Sequence, residues 1–398
     1  MKYPDIAFEP FFSWYNRPRI MYSPGVRAEI GFEMSQLGGS KVVMYTDKGL
    51  VNAGVADMVA EAIRSSEELE LVGIFDDIVQ DARIDIINKG AEFYRKSGAD
   101  CMVVVGGGSV MDTAKAVNIM IGRKVDDFQP LADQAALWEG AKPLPPHIVF
   151  PTTAGTGSEI TNALVVLDTE SGVKLGVSHP FNADIAMLDP ELTVALPAKI
   201  TAFTGMDALT HAVEGITSTA AEPIADGLGL HAIRLIFKYL PLAVKEPDNI
   251  EARGNMLIAS SMAGLCFGNT MTGAVHSTAH ALGGKYGVPH GLGNGIMLPI
   301  VMEFNVEEAP LKFLMIADAM GIDVAGMDPV DAGMAAVKAV KDLKKEVGLT
   351  DTLTDLKIPK DPDELQALVE LAAGDSQISY NPRYLEEEDI RNLYLKAF

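Results

Sequence analysis

The chain has 398 residues, more than one core usually covers, so two domains are the expectation. Apolar residues make up 48% of it, which excludes a disordered chain, and 54 acidic against 32 basic residues give a formal net charge of −22. The acids are spread along the sequence rather than gathered in a tail, and such a surface repels phosphodiester backbones and anionic lipid, so neither nucleic acid nor membrane is expected as a partner.

The opening M-K-Y-P-D-I-A-F-E-P-F-F lacks a basic n-region and an unbroken apolar h-region, and no apolar run approaches the roughly 20 residues of a membrane span. A soluble, cytoplasmic protein is the expectation. Cys101 and Cys266, the only cysteines, fall in an apparent strand and an apparent buried helix and read as core thiols, not as a disulfide framework. The first half alternates short β-rich runs with amphipathic stretches, the pattern of a parallel sheet covered by helices. Lys41–Tyr45 predicts a buried strand, Asn52–Arg64 a helix, Leu71–Phe75 a second strand and Asp85–Ser97 a second helix. Cys101–Val105 predicts the third and clearest strand. Pro143–Pro146 reads as a linker into a fourth at Ile148–Phe150, T-N-A-L-V-V-L-D with K-L-G-V-S suggests a β-hairpin, and Ile185–Leu188 closes the series. After Pro197 the strand signals stop, and patterns of Ala, Leu and Met predict helix from Ala198 to Phe398. The expected domains are therefore 1–197, α/β, and 198–398, all α. Within the second, the stripe Met334, Val337, Val340 and Leu343 of Asp331–Val347 and the final helix Glu386–Phe398 read as core faces.

Directly after C-M-V-V-V comes a glycine turn, Gly106, Gly107, Gly108 and Ser109, leading into a helix. A strand, a glycine turn and a helix N-terminus expose backbone N–H groups to a phosphate with no Cβ to hold it away, although the same turn also serves as a plain tight connection. It has neither P-loop nor G-x-G-x-x-G spacing. A second turn, P-T-T-A-G-T-G-S-E, follows Phe150 and offers Thr152, Thr153 and Ser158 as donors, or is a simple Gly/Thr loop. Two such turns in one sheet suggest a dinucleotide. Asp47, after K-V-V-M-Y, suits a ribose diol and opposes a 2′-phosphate, or else caps a helix.

Asp207 and His211 are four residues apart in T-G-M-D-A-L-T-H-A-V-E, which on a helix stacks both on one face within reach of a single ion. His276 and His280 repeat the device in A-V-H-S-T-A-H-A-L-G-G, and His290 follows in the loop-like G-V-P-H-G. One histidine alone on an apolar helix is usually a satisfied core residue. Several in Ala- and Leu-rich helices, with no shared partner, carry a desolvation cost that a common metal removes. A carboxylate with imidazoles suits Fe(II) or Zn(II) rather than calcium or copper(I). His231 fits no such role and reads as structural.

Four blocks together resemble the iron-containing (group III) alcohol dehydrogenase family: G-G-G-S-x-x-D-x-x-K at Gly106–Lys115, P-T-T-A-G-T-G-S-E at Pro151–Glu159, T-G-x-D-A-L-T-H-A-x-E at Thr204–Glu214, and H-S-T-A-H-A-L-G-G with P-H-G at His276–Gly291. The resemblance implies a Rossmann-like N-terminal dinucleotide-binding domain and a helical C-terminal domain. It implies Asp207, His211, His276 and His290 as metal ligands and His280 as a nearby catalytic non-ligand. Cofactor contacts carried over are Asp47, Gly107, Gly108, Ser109, Asp112, Thr152, Thr153, Ser158, Lys174 and Leu192. The cofactor is NAD, with NADP as the alternative, and the metal Fe(II), with Zn(II) as the alternative. Where many members carry a P-N-P-T-like segment, this chain has V-Q-D-A-R at Val79–Arg83. The activity implied is hydride transfer between NAD(P) and a small primary alcohol, diol or hydroxy acid, the metal acting as a Lewis acid on the substrate oxygen. A homodimer or larger homo-oligomer belongs to the same expectation.

Two rival classes are weighed beside it. A metal- and NAD-using lyase resembling dehydroquinate synthase needs lysines and arginines for a phosphorylated, carboxylated substrate, and Gly254–Gly295 contains only Lys285. A silent NAD-binding or metal-storage protein is disfavoured by the complete ligand set. A substrate pocket is expected near Phe150, Phe267 and the metal, with both rings mainly in the core.

Overall fold

The strands of the first half are apolar on both faces, and such runs form parallel sheets covered by helices. In the structure, a computed structural model that describes residues 11–15, 18–132, 144–180 and 183–398, they do so. The strands are β1 (Arg19–Tyr22), β2 (Lys41–Asp47), β3 (Glu70–Ile78), β4 (Ala82–Arg83), β5 (Cys101–Gly106), β6 (His147–Pro151), β7 (Ala163–Leu167), β8 (Lys174–Ser178) and β9 (Ile185–Leu188). Six of them make a parallel sheet in the order β1-β9-β6-β5-β2-β3. The chain runs outward from β2 to β3, then back across to β5, β6 and β9, so the order reverses between β2 and β5. The carboxyl ends of those two strands are where an open α/β sheet leaves a crevice for a ligand.

The helices of this half are α1 (Ile30–Gln36), α2 (Lys48–Asn52), α3 (Val55–Arg64), α4 (Ile84–Ser97), α5 (Gly108–Arg123) and the single turn α6 (Gln129–Ala132). The helix expected over Asn52–Arg64 starts three residues later, as α3, because α2 ends at Asn52 and Gly54 turns the chain at φ +74°. Val42, Met44, Val103, Val105, Ile148 and Phe150 pack with Val59 and Ile63 of α3 in a continuous core. The hairpin β7–β8 forms as expected, but in a separate three-stranded sheet whose third member is β4. That pairing gives V-Q-D-A-R a structural place: Asp81, at φ +59°, turns the chain into β4. Residue 143 of the expected linker lies outside the described residues, and 144–146 are irregular. β1 had no counterpart in the sequence reading. It is four residues long, exposed, and held only on the β9 side among the described strands, so neither burial nor periodicity marked it.

Downstream come α7 (Ala198–Thr217), α8 (Pro223–Lys245), α9 (Ile250–Thr270), α10 (Ala274–Tyr286), α11 (His290–Asn305), α12 (Pro310–Ala319), α13 (Pro329–Glu346), α14 (Pro362–Ala373) and α15 (Glu387–Ala397), with no strand among them; all but the start of α9 belong to the second unit. The described residues divide into an α/β unit, from residue 18 to 196 with 248–257, and a helical unit of 11–15, 197–247 and 258–398. Residues 248–257 return to the α/β unit, where Arg253 donates to the Leu196 carbonyl at 3.2 Å and the Tyr22 ring lies against Gly254.

Two details of the helical half differ from the sequence reading. Met334 is 42% exposed, because the buried arc of α13 runs through Ala332, Gly333, Ala336, Val337, Val340 and Leu343 and Met334 lies one step round the helix from it. α8 is long and apolar enough to cross a membrane, which the sequence reading did not anticipate. It packs one face, including Ile233, Ile236 and Leu240, and carries a buried ion pair, Lys312 to Asp226 at 2.5 Å, as a core helix does.

Candidate functional site

α7 is buried along almost its whole length, so its polar residues are stacked inside the helical unit. Asp207, His211 and Glu214 share one of its faces at spacings of four and three. α10 supplies His276 at its third residue, and α11 supplies His290 at its first. His290 therefore does not lie in a loop: Pro289 precedes the helix and the ring sits on its opening turn. One atom from each of Asp207, His211, His276 and His290 lies within 4.8 Å of all the others. From Asp207 Oδ1 the Nε2 atoms of His290, His211 and His276 are 3.3, 3.9 and 3.9 Å away. Gly291 permits this approach, since a Cβ there would collide with the Phe203 carbonyl of α7, 2.8 Å from its carbon. The His211 ring is stacked between Phe267 at 4.1 Å and His276 at 4.7 Å, which fixes its plane.

The surrounding groups orient these donors. Glu214 Oε2 meets His276 Nδ1, while its Oε1 accepts from the Val275 N–H at 2.7 Å. An acceptor at Nδ1 turns the Nε2 lone pair of His276 toward Asp207. Burial, reinforced by the neighbouring His211 and His290 rings, holds His276 well below its usual pKa, so the ring is neutral. Burial would raise the Asp207 carboxyl, yet His211, His290 and the Asn294 amide together pull it below the ordinary range. Burial pushes the Glu214 carboxyl up to about 8 against the backbone N–H groups that favour its anion. A divalent ion held by these donors would shift that balance toward the anion.

Asn294 Nδ2 stands 2.7 Å from Asp207 Oδ1 and 3.2 Å from the Nε2 atoms of both His276 and His290. An amide has two hydrogens, and the cluster presents one carboxylate and three imidazole nitrogens. One carboxylate oxygen and three imidazole nitrogens gathered within 4.8 Å of one another are the kind of set that a cation completes. Three imidazoles and one carboxylate fit Fe(II) or Zn(II). His280 is beside this cluster and outside it, its Nδ1 bonded to Asp375 Oδ2 at 2.7 Å. Glu214, Asn294 and Asp375 were not singled out from the sequence. Glu214 follows His211 by three residues and Asn294 follows His290 by four, so helical spacing would have found both, whereas Asp375 is 95 residues from its partner. His231 is on the exposed face of α8.

In the α/β unit the glycine turn sits where β5 meets α5, with Gly107 as N-cap and no side chain capping the helix. The second turn lies directly against it. Thr152 N–H donates to the Gly106 carbonyl at 3.1 Å, and a Cβ on Gly107 or Gly108 would stand 3.1 Å from Thr153 Oγ1 or 2.9 Å from Thr156 Cγ2. The two glycines thus serve the packing of turn on turn as well as an open helix end. Below them Lys115, fully buried, donates to Ser158 Oγ at 2.8 Å, to the Ala163 carbonyl at 2.8 Å and to Thr161 Oγ1 at 3.3 Å. Asp112 accepts from Ser158 Oγ at 2.6 Å and from the Val165 N–H at 3.0 Å, so Asp112 and Ser158 are spent largely on each other. Asp47 caps α2 through the Leu50 N–H at 3.0 Å, at the carboxyl end of β2. Ser109 Oγ accepts from the Asp81 N–H, and Lys174 Nζ pairs with Asp81 Oδ1 at 2.7 Å, so Asp81 joins two of the expected contacts. Leu192 is buried in a 3₁₀ turn at Pro190–Thr193, and Phe150 is wholly inside the sheet's core, whereas Phe267 is only half-buried against His211.

Residues 17–190 match the family described as iron-containing alcohol dehydrogenase, and residues 201–398 match the C-terminal region of the Fe-containing alcohol dehydrogenase family. The chain is 37% identical over 380 residues to 1,3-propanediol dehydrogenase of Klebsiella pneumoniae, covering 95% of this chain and 96% of that one. Its fold superposes on the crystal structure of a 1,3-propanediol oxidoreductase with a TM-score of 0.92 at 34% identity, covering 98% of this chain and 100% of that one. It also superposes on sulfoacetaldehyde reductase from Bifidobacterium kashiwanohense, solved in complex with NAD+, with a TM-score of 0.86 at 31% identity, covering 98% and 99% of the two chains. Matched through both of its halves, the chain belongs to the iron-containing alcohol dehydrogenase family.

Proposed function

We propose that the protein interconverts a small primary alcohol or diol and its aldehyde, with NAD as the redox partner and a divalent metal held by Asp207, His211, His276 and His290. The gathering of these four donors, three of them buried, is the observation that carries the reading. When bound, the metal supplies the Lewis acidity that lowers the alcohol's pKa, and the nicotinamide supplies the hydride acceptor. Asp207 brings the single formal negative charge of the donor set, so a divalent ion keeps part of its charge for the substrate. His290, at 41% side-chain exposure, is the donor on the open side. His280 takes the hydroxyl proton and passes it outward, for which its partial exposure suits it. Asp47, Gly107, Gly108, Ser109, Thr152, Thr153 and Lys174 hold the dinucleotide, Leu192 packs beside it, and Asp112 with Ser158 keeps the second turn in place. The carboxylate of Asp47 favours NAD over NADP.

Iron is the proposed metal. Zinc generally binds such a set more tightly, so metal supply decides which is found. A cytoplasmic homodimer or larger homo-oligomer completes the reading; among the described strands β1 pairs with β9 alone, and its Ile20 and Tyr22 are exposed in the single chain. The test is NAD and NADP reduction with a panel of alcohols and diols, using metal-free protein reloaded anaerobically with Fe(II) or Zn(II). Turnover restored by one metal and lost in His276→Ala is expected. No turnover with any alcohol under either metal would overturn the reading.

A further inference from the structure

We propose that Asp375 is a positioning residue for the reaction: it fixes the ring orientation and tautomer of His280 so that Nε2 is the nitrogen free to take the substrate's proton. This rests on the role given to His280 above. Asp375 Oδ2 accepts from His280 Nδ1 at 2.7 Å, and its Oδ1 accepts from the Gln377 N–H at 2.8 Å as the cap of a 3₁₀ turn at Ser376–Tyr380. Both oxygens are engaged, so the carboxylate cannot swing away from the ring. A carboxylate facing Nδ1 requires a hydrogen on that nitrogen, which leaves the lone pair on Nε2. The ring itself lies over His290 at 5.2 Å, nearly parallel, and edge-on to His276 at 5.8 Å. It is thus held beside two of the donors while remaining one-third exposed.

The segment that carries Asp375 is itself fastened to the helix bearing both histidines. Gln377 Oε1 accepts from Thr272 Oγ1 at 3.0 Å, and Asn381 Oδ1 accepts from the Ala274 N–H at 3.4 Å. Residues 375–381 therefore grip α10 at its start and again at His280, and the distance between His280 and His276 is set by one rigid frame.

The first measurement is the tautomer of His280 in the zinc-loaded protein, read from the ring nitrogens of histidine-labelled material by NMR. The Nδ1–H form is expected in the native chain, and a mixed or Nε2–H form in Asp375→Asn, where the amide keeps a capping oxygen but also presents an NH2 group to the ring. The kcat of Asp375→Asn should fall about 10- to 100-fold, the range for outer partners of site histidines, with alcohol KM, metal content and melting temperature near native values. Asp375→Asn added to His280→Ala should slow the enzyme no further, since both act through one ring. An Nε2–H tautomer in the native protein, a native kcat in Asp375→Asn, or an additive loss in the double variant would each overturn the proposal. Full turnover in His280→Ala is a different failure: it removes the role of His280 itself, whatever the tautomer proves to be.

Discussion

Glu214 is the side chain on which the orientation of His276 depends, because it is buried and has no other ring to serve. Glu214→Gln keeps the shape and the bond to the Val275 N–H but removes the anion behind the imidazole. Its metal affinity should drop by about 10- to 100-fold, measured by competition with a chelator, and unchanged affinity would mean that Glu214 only packs. A second buried histidine, His147 on β6, tests the opposite sign of chemistry. Burial, with the charge of Lys115 added, lowers its pKa to about 3. The unfolded chain takes up a proton near pH 6.5 that the folded ring refuses, so this residue's share of stability is complete above pH 6.5 and is lost as pH falls toward 3. His147→Phe should flatten urea-unfolding stability between pH 7 and pH 5, by up to about 1.4 kcal/mol per pH unit; parallel curves for the two proteins would rule this out. At this scale the sequence was most informative about groups in regular array. The pair Asp207 and His211 could be read because a helix repeats every three to four residues. Asp375 could not be read, since the turn that brings it to His280 leaves no periodic trace across 95 residues.

Single elements are tuned by what their glycines and buried charges allow. Gly291 on α11 touches the Phe203 carbonyl of α7, so Gly291→Ala must push the two helices apart and carry His290 away from Asp207. A loss of about 1–3 kcal/mol in unfolding free energy, with reduced metal retention after dialysis, is expected; a variant of native stability and metal content would contradict the close contact. In the α/β unit Lys115 ties α5 to the turn after β6. Lys115→Met leaves Ser158, Thr161 and the Ala163 carbonyl without their donor and Asp112 without its cation, and should lose about 3 kcal/mol by urea unfolding while raising the KM for NAD. The elements that sequence revealed are those whose burial is continuous, as in β2, β5 and β6. β1 escaped because four half-wet residues have no pattern to show, and His290 looked like a loop residue because Gly287, Pro289 and Gly291 around it punctuate the chain without preventing a helix from starting.

At the scale of the molecule a metal held by Asp207, His211, His276 and His290 would cross-link three helices, α7, α10 and α11. A ligand that binds only the folded chain adds about 2.7 kcal/mol at a free concentration one hundred times its Kd. Chelation should therefore lower the melting temperature in calorimetry, and re-addition of Fe(II) or Zn(II) should restore it, whereas identical melting with and without metal would show that the donors hold no ion.

The placement of residues 248–257 in the α/β unit also governs how the chain is made. β1 leaves synthesis early yet must wait for β9, its one described partner in the sheet. The α/β unit is still short of its last piece when β9 arrives, because α7 and α8 are synthesised before residues 248–257 appear. At roughly 5–20 residues per second the nascent chain spends seconds with two half-built cores in progress at once. The boundary near residue 197 separates two finished units but not two successive folding events.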